Sequence, residues 1–229
     1  MIPKSEVSKI IFEYLSKDAS NNGFKIDLKN DWLIKRDPEA IFLYSIHFYD
    51  RTNIKTREKG FLVEPYVWIN IKAIENIYKE VTVNRELKKE TDFLTLGNSI
   101  ADLKANLSGI YKKRNESLDL FVFEEKNAYY VAHELLSHFN REALTYFHNN
   151  YTVDAVDRLV NSHAKEYCVH MRNDTYRIIK GLIAARLNNN VRFTELHAMY
   201  SQRIIERDMP DNTKEELSNL MAYFKYPLP

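Results

Sequence analysis

Leu118-Asp119-Leu120-Phe121-Val122-Phe123, followed at once by Glu124-Glu125-Lys126, is where the hydrophobic pattern of this chain changes period. Upstream, apolar residues alternate; downstream, they recur every three or four positions. The six residues read as a strand and residues 128–147 as a long amphipathic helix. Ala128, Ala132, Leu135, Leu136, Phe139, Ala143 and Tyr146 form its expected buried face. A second helix is expected to start near Thr152. A strand feeding a long helix at such a border predicts an α+β fold: an antiparallel sheet of about four or five strands packed by helices, then an α-helical C-terminal part. The expected domains are residues 1–150 and a helical extension, 151–229, packed on them.

Working outward, residues 4–18 read as a helix with Val7, Ile10, Ile11, Tyr14 and Leu15 on one stripe, closed by Asn21-Asn22-Gly23. Strands are expected over 24–28, 32–36, 40–49 and 61–71. In the third, Phe42, Tyr44, Ile46 and Phe48 share a face opposite Ser45 and His47. In the fourth, Phe61, Val63, Val67, Ile69 and Ile71 alternate with Leu62, Glu64, Tyr66, Trp68 and Asn70, giving one buried and one half-wet face. Pro65 predicts an edge or a bulge there. A short helix (73–79), a polar loop (82–91), a brief strand (93–96), a helix (98–107) and a turn at Lys112-Lys113-Arg114-Asn115-Glu116 complete this part. Beyond residue 158 the spacing is helical. Residues 167–187 carry two apolar faces and so are expected between neighbours, and 194–207 follow. Thr213-Lys214-Glu215-Glu216 reads as a capping box before Leu217, Leu220, Met221 and Phe224.

Composition narrows the chemistry. The chain has 229 residues, 45% apolar and 28% charged, with a formal net charge of +1, which gives no global argument for nucleic acid or membrane. A single cysteine, Cys168, rules out an internal disulfide and suits a reducing compartment. Met1-Ile2-Pro3-Lys4-Ser5-Glu6 turns charged at once, and no window is apolar enough for a span, so a cytoplasmic location without a membrane partner is expected. The five glycines are scattered, which argues against dinucleotide and P-loop sites; no cofactor is expected. The 15 Tyr and 12 Phe read as core and amphipathic surface rather than a base-stacking platform.

Four constellations invite chemistry. His133-Glu134-Leu135-Leu136-Ser137-His138 resembles a zinc motif, but its histidines stand at i and i+5 and diverge by about 140° around a helix. No metal is expected there. Glu124 and Lys126, with Asp92 or Asp50 as a second carboxylate, have the residue types of a metal-dependent nuclease in which carboxylates hold Mg²⁺ and the lysine positions water. Asp119 lies too early on the strand to join them. Cys168 with His163 or His170 has the types of a nucleophile pair, although a cysteine beside Val169 and Met171 reads better as a small buried hydrophobe. Lys165, Arg172, Arg177, Lys180, Arg186, Arg192, Arg203 and Arg207 outnumber Glu166, Asp174, Glu195 and Glu206 by eight to four. Of these, Arg172, Arg177, Lys180, Arg186 and Arg203 are the candidate binding residues for phosphate or an acidic partner, against the plainer reading of solvated helix faces.

Gly23-Phe24-Lys25, Ile46-His47-Phe48, Leu96-Gly97, and Ala143-Leu144-Thr145-Tyr146-Phe147 followed by Tyr151-Thr152-Val153 together resemble the bacterial domain-of-unknown-function family 4304, over about residues 5–160. The chain departs from that pattern in lacking a proline after Ala-Leu and in its additional C-terminal helices. The resemblance implies an α+β fold and a setting in bacterial interaction or defence loci, and supplies no catalytic residues. The expected function is a cytosolic, non-catalytic protein-binding factor, with immunity or defence as its setting and a protein as its partner. The alternatives are the Glu124/Lys126 nuclease and a nucleic-acid binder using the basic C-terminal helices.

Overall fold

The structure, a computed structural model, describes residues 2–105 and 117–225. The fold is α+β. The chain forms two compact units, Met1–Ile69 with Gly97–Asn149, and Asn70–Leu96 with Asn150–Pro229. The second unit therefore takes in a stretch that the sequence pattern assigns to the first. The expected turn at residues 112–116 and the end of the helix expected over 98–107 lie outside the described residues. No helix among the described residues is long and apolar enough to cross a membrane.

The first unit opens with helix α1, Lys4–Asn21. Its inward stripe is Val7, Ser8, Ile11, Phe12, Leu15 and Ala19, rotated from the expected one, and Tyr14 is 42% exposed. Phe12 fills the core, and Ser8 can face inward because Asp31 accepts its hydroxyl proton at 2.5 Å. Gly23, at φ 79°, ends the helix and donates its N–H to the Ser20 carbonyl. Strands β1 (Lys25–Asp27), β2 (Trp32–Arg36), β3 (Ala40–Thr52), β4 (Lys59–Ile71) and β5 (Leu96–Ser99) lie side by side in chain order. A short β6 (Phe121–Val122) pairs antiparallel with β4.

The strand expected over 118–123 is cut to two residues. Asp119 takes φ 54°, a left-handed conformation that no strand contains. Leu120 adds one bond, accepting the Val63 N–H at 2.8 Å. That bond also explains Pro65. Backbone N–H groups point alternately to the two sides of a strand, so position 65 faces the same side as Val63. On that side β6 opposes Phe61 and Leu62, and β5 lies against Val67 and Trp68. The residue without a donor occupies the interval between two short neighbours, in an inner strand rather than at an edge.

Helix α3 (Ile100–Ala105) follows β5, and the long helix expected over 128–147 is a continuous helical run in three pieces. These are α4 (Glu125–His138), a π turn (Phe139–Ala143) and α5 (Leu144–Asn149). The π turn adds a residue to the repeat, so the buried stripe passes through Ala128, Ala132, Leu135, Phe139 and Ala143 to Phe147 rather than Tyr146. Phe24, Phe42, Tyr44, Phe139 and Phe147 then meet in the core with ring centroids 5.3–5.6 Å apart. The Tyr44 hydroxyl donates to the Leu135 carbonyl at 3.1 Å.

The second unit is helical: α2 (Lys72–Val81), α6 (Val153–Asn161), α7 (Asp174–Leu187), α8 (Phe193–Glu206) and α9 (Asp211–Tyr223). Thr152 caps α6 by accepting the Ala155 N–H, where the sequence places the start. Helix α7 is buried on every side from Arg177 to Ala185, as two apolar faces require. It begins seven residues later than its pattern, because Asn173 caps it through the Tyr176 N–H. The expected capping box of α9 does not form. The helix starts at Asp211, which puts Thr213 and Glu216 inside it. Thr213 pairs with Thr175, and the Glu216 carboxylate is buried, accepting the Thr82 hydroxyl at 2.5 Å and the Val83 N–H at 3.1 Å. The strand expected at 93–96 starts only at Leu96. Before it, the Leu94 carbonyl accepts from Lys180 and the Thr95 hydroxyl donates to Glu75, so these groups serve the helical unit.

Candidate functional site

The residues with nuclease chemistry are otherwise engaged. Lys126 and Glu124 form an exposed ion pair with each other at 2.6 Å. The segment is a helix start, where Asn127 Oδ1 accepts the N–H groups of Phe123 and Glu124. Asp92 belongs to the other unit and ties its own loop, accepting the N–H groups of Lys88 and Lys89, which holds its carboxyl below the usual range. Asp50 is exposed. No three His, Cys, Asp or Glu side chains among the described residues converge on a metal position. His133 lies exposed beside Glu134 and edge-on to Tyr14, while His138 lies 3.1 Å from Glu142. Cys168 is buried with its thiol directed at the Leu159 carbonyl; burial pushes its pKa up, the reverse of an activated nucleophile.

The basic set needs a correction. Arg177, Lys180 and Arg203 are not on a solvated face. Arg177 is 1% exposed and donates to the carbonyls of Glu166, Val160 and His163, where the end of α6 leaves acceptors open. Lys180 is equally buried, 2.9 Å from both Glu75 Oε1 and the Leu94 carbonyl. Arg203 donates to the Lys165 carbonyl. Arg172 and Arg186 are exposed, and the Arg186 guanidinium lies 5.7 Å from the Phe193 ring and 5.9 Å from that of Phe224. Periodicity misplaces these cations because each has a long stem that can run through apolar packing while its head meets polar groups the sequence does not connect.

A different group of side chains converges on the sheet of the first unit. His47 and Tyr49 on β3 and Glu64, Tyr66 and Trp68 on β4 are alternate residues of neighbouring strands, so they share the face opposite Tyr44. Tyr66 and Trp68 are stacked, 5.8 Å apart and 5° from parallel. His47 lies 4.5 Å from Tyr66 and 6.3 Å from Tyr49. Hydrogen bonds fix the tiling. The indole N–H of Trp68 donates to Ser45 Oγ at 3.2 Å, and since indole can only donate, the Ser45 proton is free for His47 Nε2 at 3.1 Å. Tyr66 donates to Glu64 at 3.3 Å and receives Tyr49 at 3.2 Å.

Electrostatics match this assignment. Partial burial outweighs the opposing field of Asp31 and, with a smaller contribution from Lys4, holds His47 below the ordinary imidazole value, which favours the neutral ring that can accept. Burial raises Glu64 despite the Tyr66 bond, and Asp102 adds to the rise. The result is a rigid, half-exposed surface of four rings with a carboxylate at its border. Its residues appear in the sequence only as the half-wet sides of two strands. Their signal was the recurrence of ring-bearing residues at i, i+2 on both. No protein-family model, curated protein or solved structure matches this chain.

Proposed function

We propose that this chain is a non-catalytic protein-binding factor and that the His47–Tyr49–Tyr66–Trp68 surface is its partner-binding face. The supporting observation is the preorganised ring tiling. Tyr and Trp are enriched where interfaces concentrate their energy, and rings already held by hydrogen bonds lose little freedom on binding. A protein suits this surface better than a nucleic-acid strand. Its nearby charges are mixed, with Lys4 and Arg51 set against Asp31, Glu64 and Asp102, whereas a strand needs a cationic track along its backbone. The resemblance to family 4304 adds a bacterial immunity or defence setting to the proposal.

Affinity capture from the native cell, run in parallel with wild type and His47→Ala/Tyr49→Ala, tests it. Both side chains are exposed, so the substitutions fall outside the packed core, and circular dichroism checks that the variant is folded. One protein recovered stoichiometrically by wild type, and bound at least about 30-fold more weakly by the variant, is expected of a ring-centred interface. Capture insensitive to the substitution, or binding of single-stranded nucleic acid instead, overturns the reading.

A further inference from the structure

Helix α8 and the turn after α6 line an open cleft of about 560 Å³ within the second unit. One wall is a face of α8 and the residue that follows it: the neighbours Ala198/Met199, Gln202/Arg203 and Glu206/Arg207 recur every four positions. Ala164 and Lys165 form the other side. The cleft is of small-molecule size and divides into an apolar part (Ala164, Ala198, Met199) and a cationic part (Lys165, Arg203, Arg207).

The cationic part is under-neutralised. Asp174 serves both arginines, pairing with Arg207 and standing 3.7 Å from Arg203 Nη1. Arg203 Nη2 donates to the Lys165 carbonyl at 2.8 Å, but Nη1 is buried without a hydrogen-bond acceptor. With almost no accessible surface, Nη1 is a source of positive field at the cleft rather than a donor to anything within it. Behind it Arg177 is held by carbonyls, which solvate its charge without cancelling it. Burial is the first reason that Arg203 sits below the ordinary guanidinium value, and the field of Arg177 is the second. Glu206 lines the cleft and accepts the Gln202 amide at 3.1 Å, and Glu195 lies in the field of Lys165.

We infer that this cleft binds a small phosphate monoester, its oxygens taken by the exposed Lys165 and Arg207 in the positive field of the buried Arg203, and its organic body lying on Met199, Ala198 and Ala164. Three cations from two elements match a group with several charged oxygens better than a single planar carboxylate, for which one arginine fork suffices. The apolar part gives the ester an advantage over the bare ion.

Isothermal titration of the whole chain with phenyl phosphate, inorganic phosphate, benzoate and phenol, at fixed ionic strength, tests this. Phenyl phosphate is expected to bind at least about fivefold more tightly than inorganic phosphate, with benzoate weaker still and phenol silent. Lys165→Ala and Arg207→Ala, both exposed positions outside the packed core, are each expected to weaken phenyl phosphate about tenfold, the loss of one charge-assisted contact. Circular dichroism confirms that the variants are folded. Absence of phenyl phosphate binding at millimolar concentration, equal binding of benzoate, or binding indifferent to both substitutions overturns the inference.

Discussion

Lys180 shows how much a single side chain can organise without touching solvent. Its ammonium meets Glu75 and the Leu94 carbonyl, both at 2.9 Å, under the rings of Tyr78 and Tyr176 at 4.5 and 4.9 Å. Burial lowers its pKa while Glu75 pulls it back up, and burial wins. Two charges have left water to form the pair, so it adds little net stability even though breaking it is costly. Lys180→Met strands the Glu75 carboxylate and is expected to cost about 3–5 kcal/mol in urea unfolding. Lys180→Met/Glu75→Leu, which removes both charges, is expected to recover most of that loss; a double variant as unstable as the single one contradicts this account. The sequence holds half of the message. A lone cation within Ile178-Ile179-Lys180-Gly181-Leu182-Ile183-Ala184-Ala185 announces burial, but nothing local names a carboxylate 105 positions earlier.

Among the elements, those fixed by alternation were legible and those fixed by close approach were not. Strand β2 runs over the residues its pattern indicates, because burial on one face sets strand register. Strands β5 and β6 depend instead on how nearly two backbones can meet. A Cβ on Gly97 would stand 2.1 Å from the Val67 carbonyl and 2.6 Å from the Trp68 ring; one on Gly60 would meet Val122 and Phe123 at the same distances. Each short strand thus joins β4 where an aromatic ring covers a glycine across the pair, an arrangement that hydrophobic period does not encode. Gly97 also has φ 152°, which no other residue type adopts comfortably. Gly97→Ala is expected to cost roughly 3 kcal/mol or more from strain and overpacking together, and to displace Trp68. A lowered urea midpoint with a shifted tryptophan emission checks it; an unchanged midpoint would mean that β5 can slide. The π turn was hidden for a related reason, since an extra residue in a helix changes the phase of a stripe without changing its composition.

At the scale of the molecule, histidine-linked acid sensitivity belongs to the second unit, which holds His170 and His197. Burial lowers His197, and lowers His170 to about 4, with Arg158 adding to that shift. An unfolded imidazole titrates near 6.5, so below that pH the unfolded chain gains protons that the native one refuses. The stability these neutral rings contribute is complete above about 6.5 and is lost as pH falls from there toward about 4. The melting temperature is expected to drop steadily from pH 7 to 5, and His170→Asn to flatten the slope; a rise on acidification would reverse the sign. The division into units was partly legible: helical spacing after residue 150 marks the second, but 70–96 resembles its surroundings in composition and only packing assigns it. That assignment has a consequence in time. A ribosome adding about 5–20 residues per second takes about 5–20 s to travel from Glu75 to Lys180. For the same length of time after it emerges, α2 lacks α7, one of the helices packed on it, while Ile74 and Tyr78 are residues that the folded chain buries. Nascent chains of this protein should therefore carry a defined, transient chaperone-binding stretch at residues 70–96, which closes only after α7 has emerged.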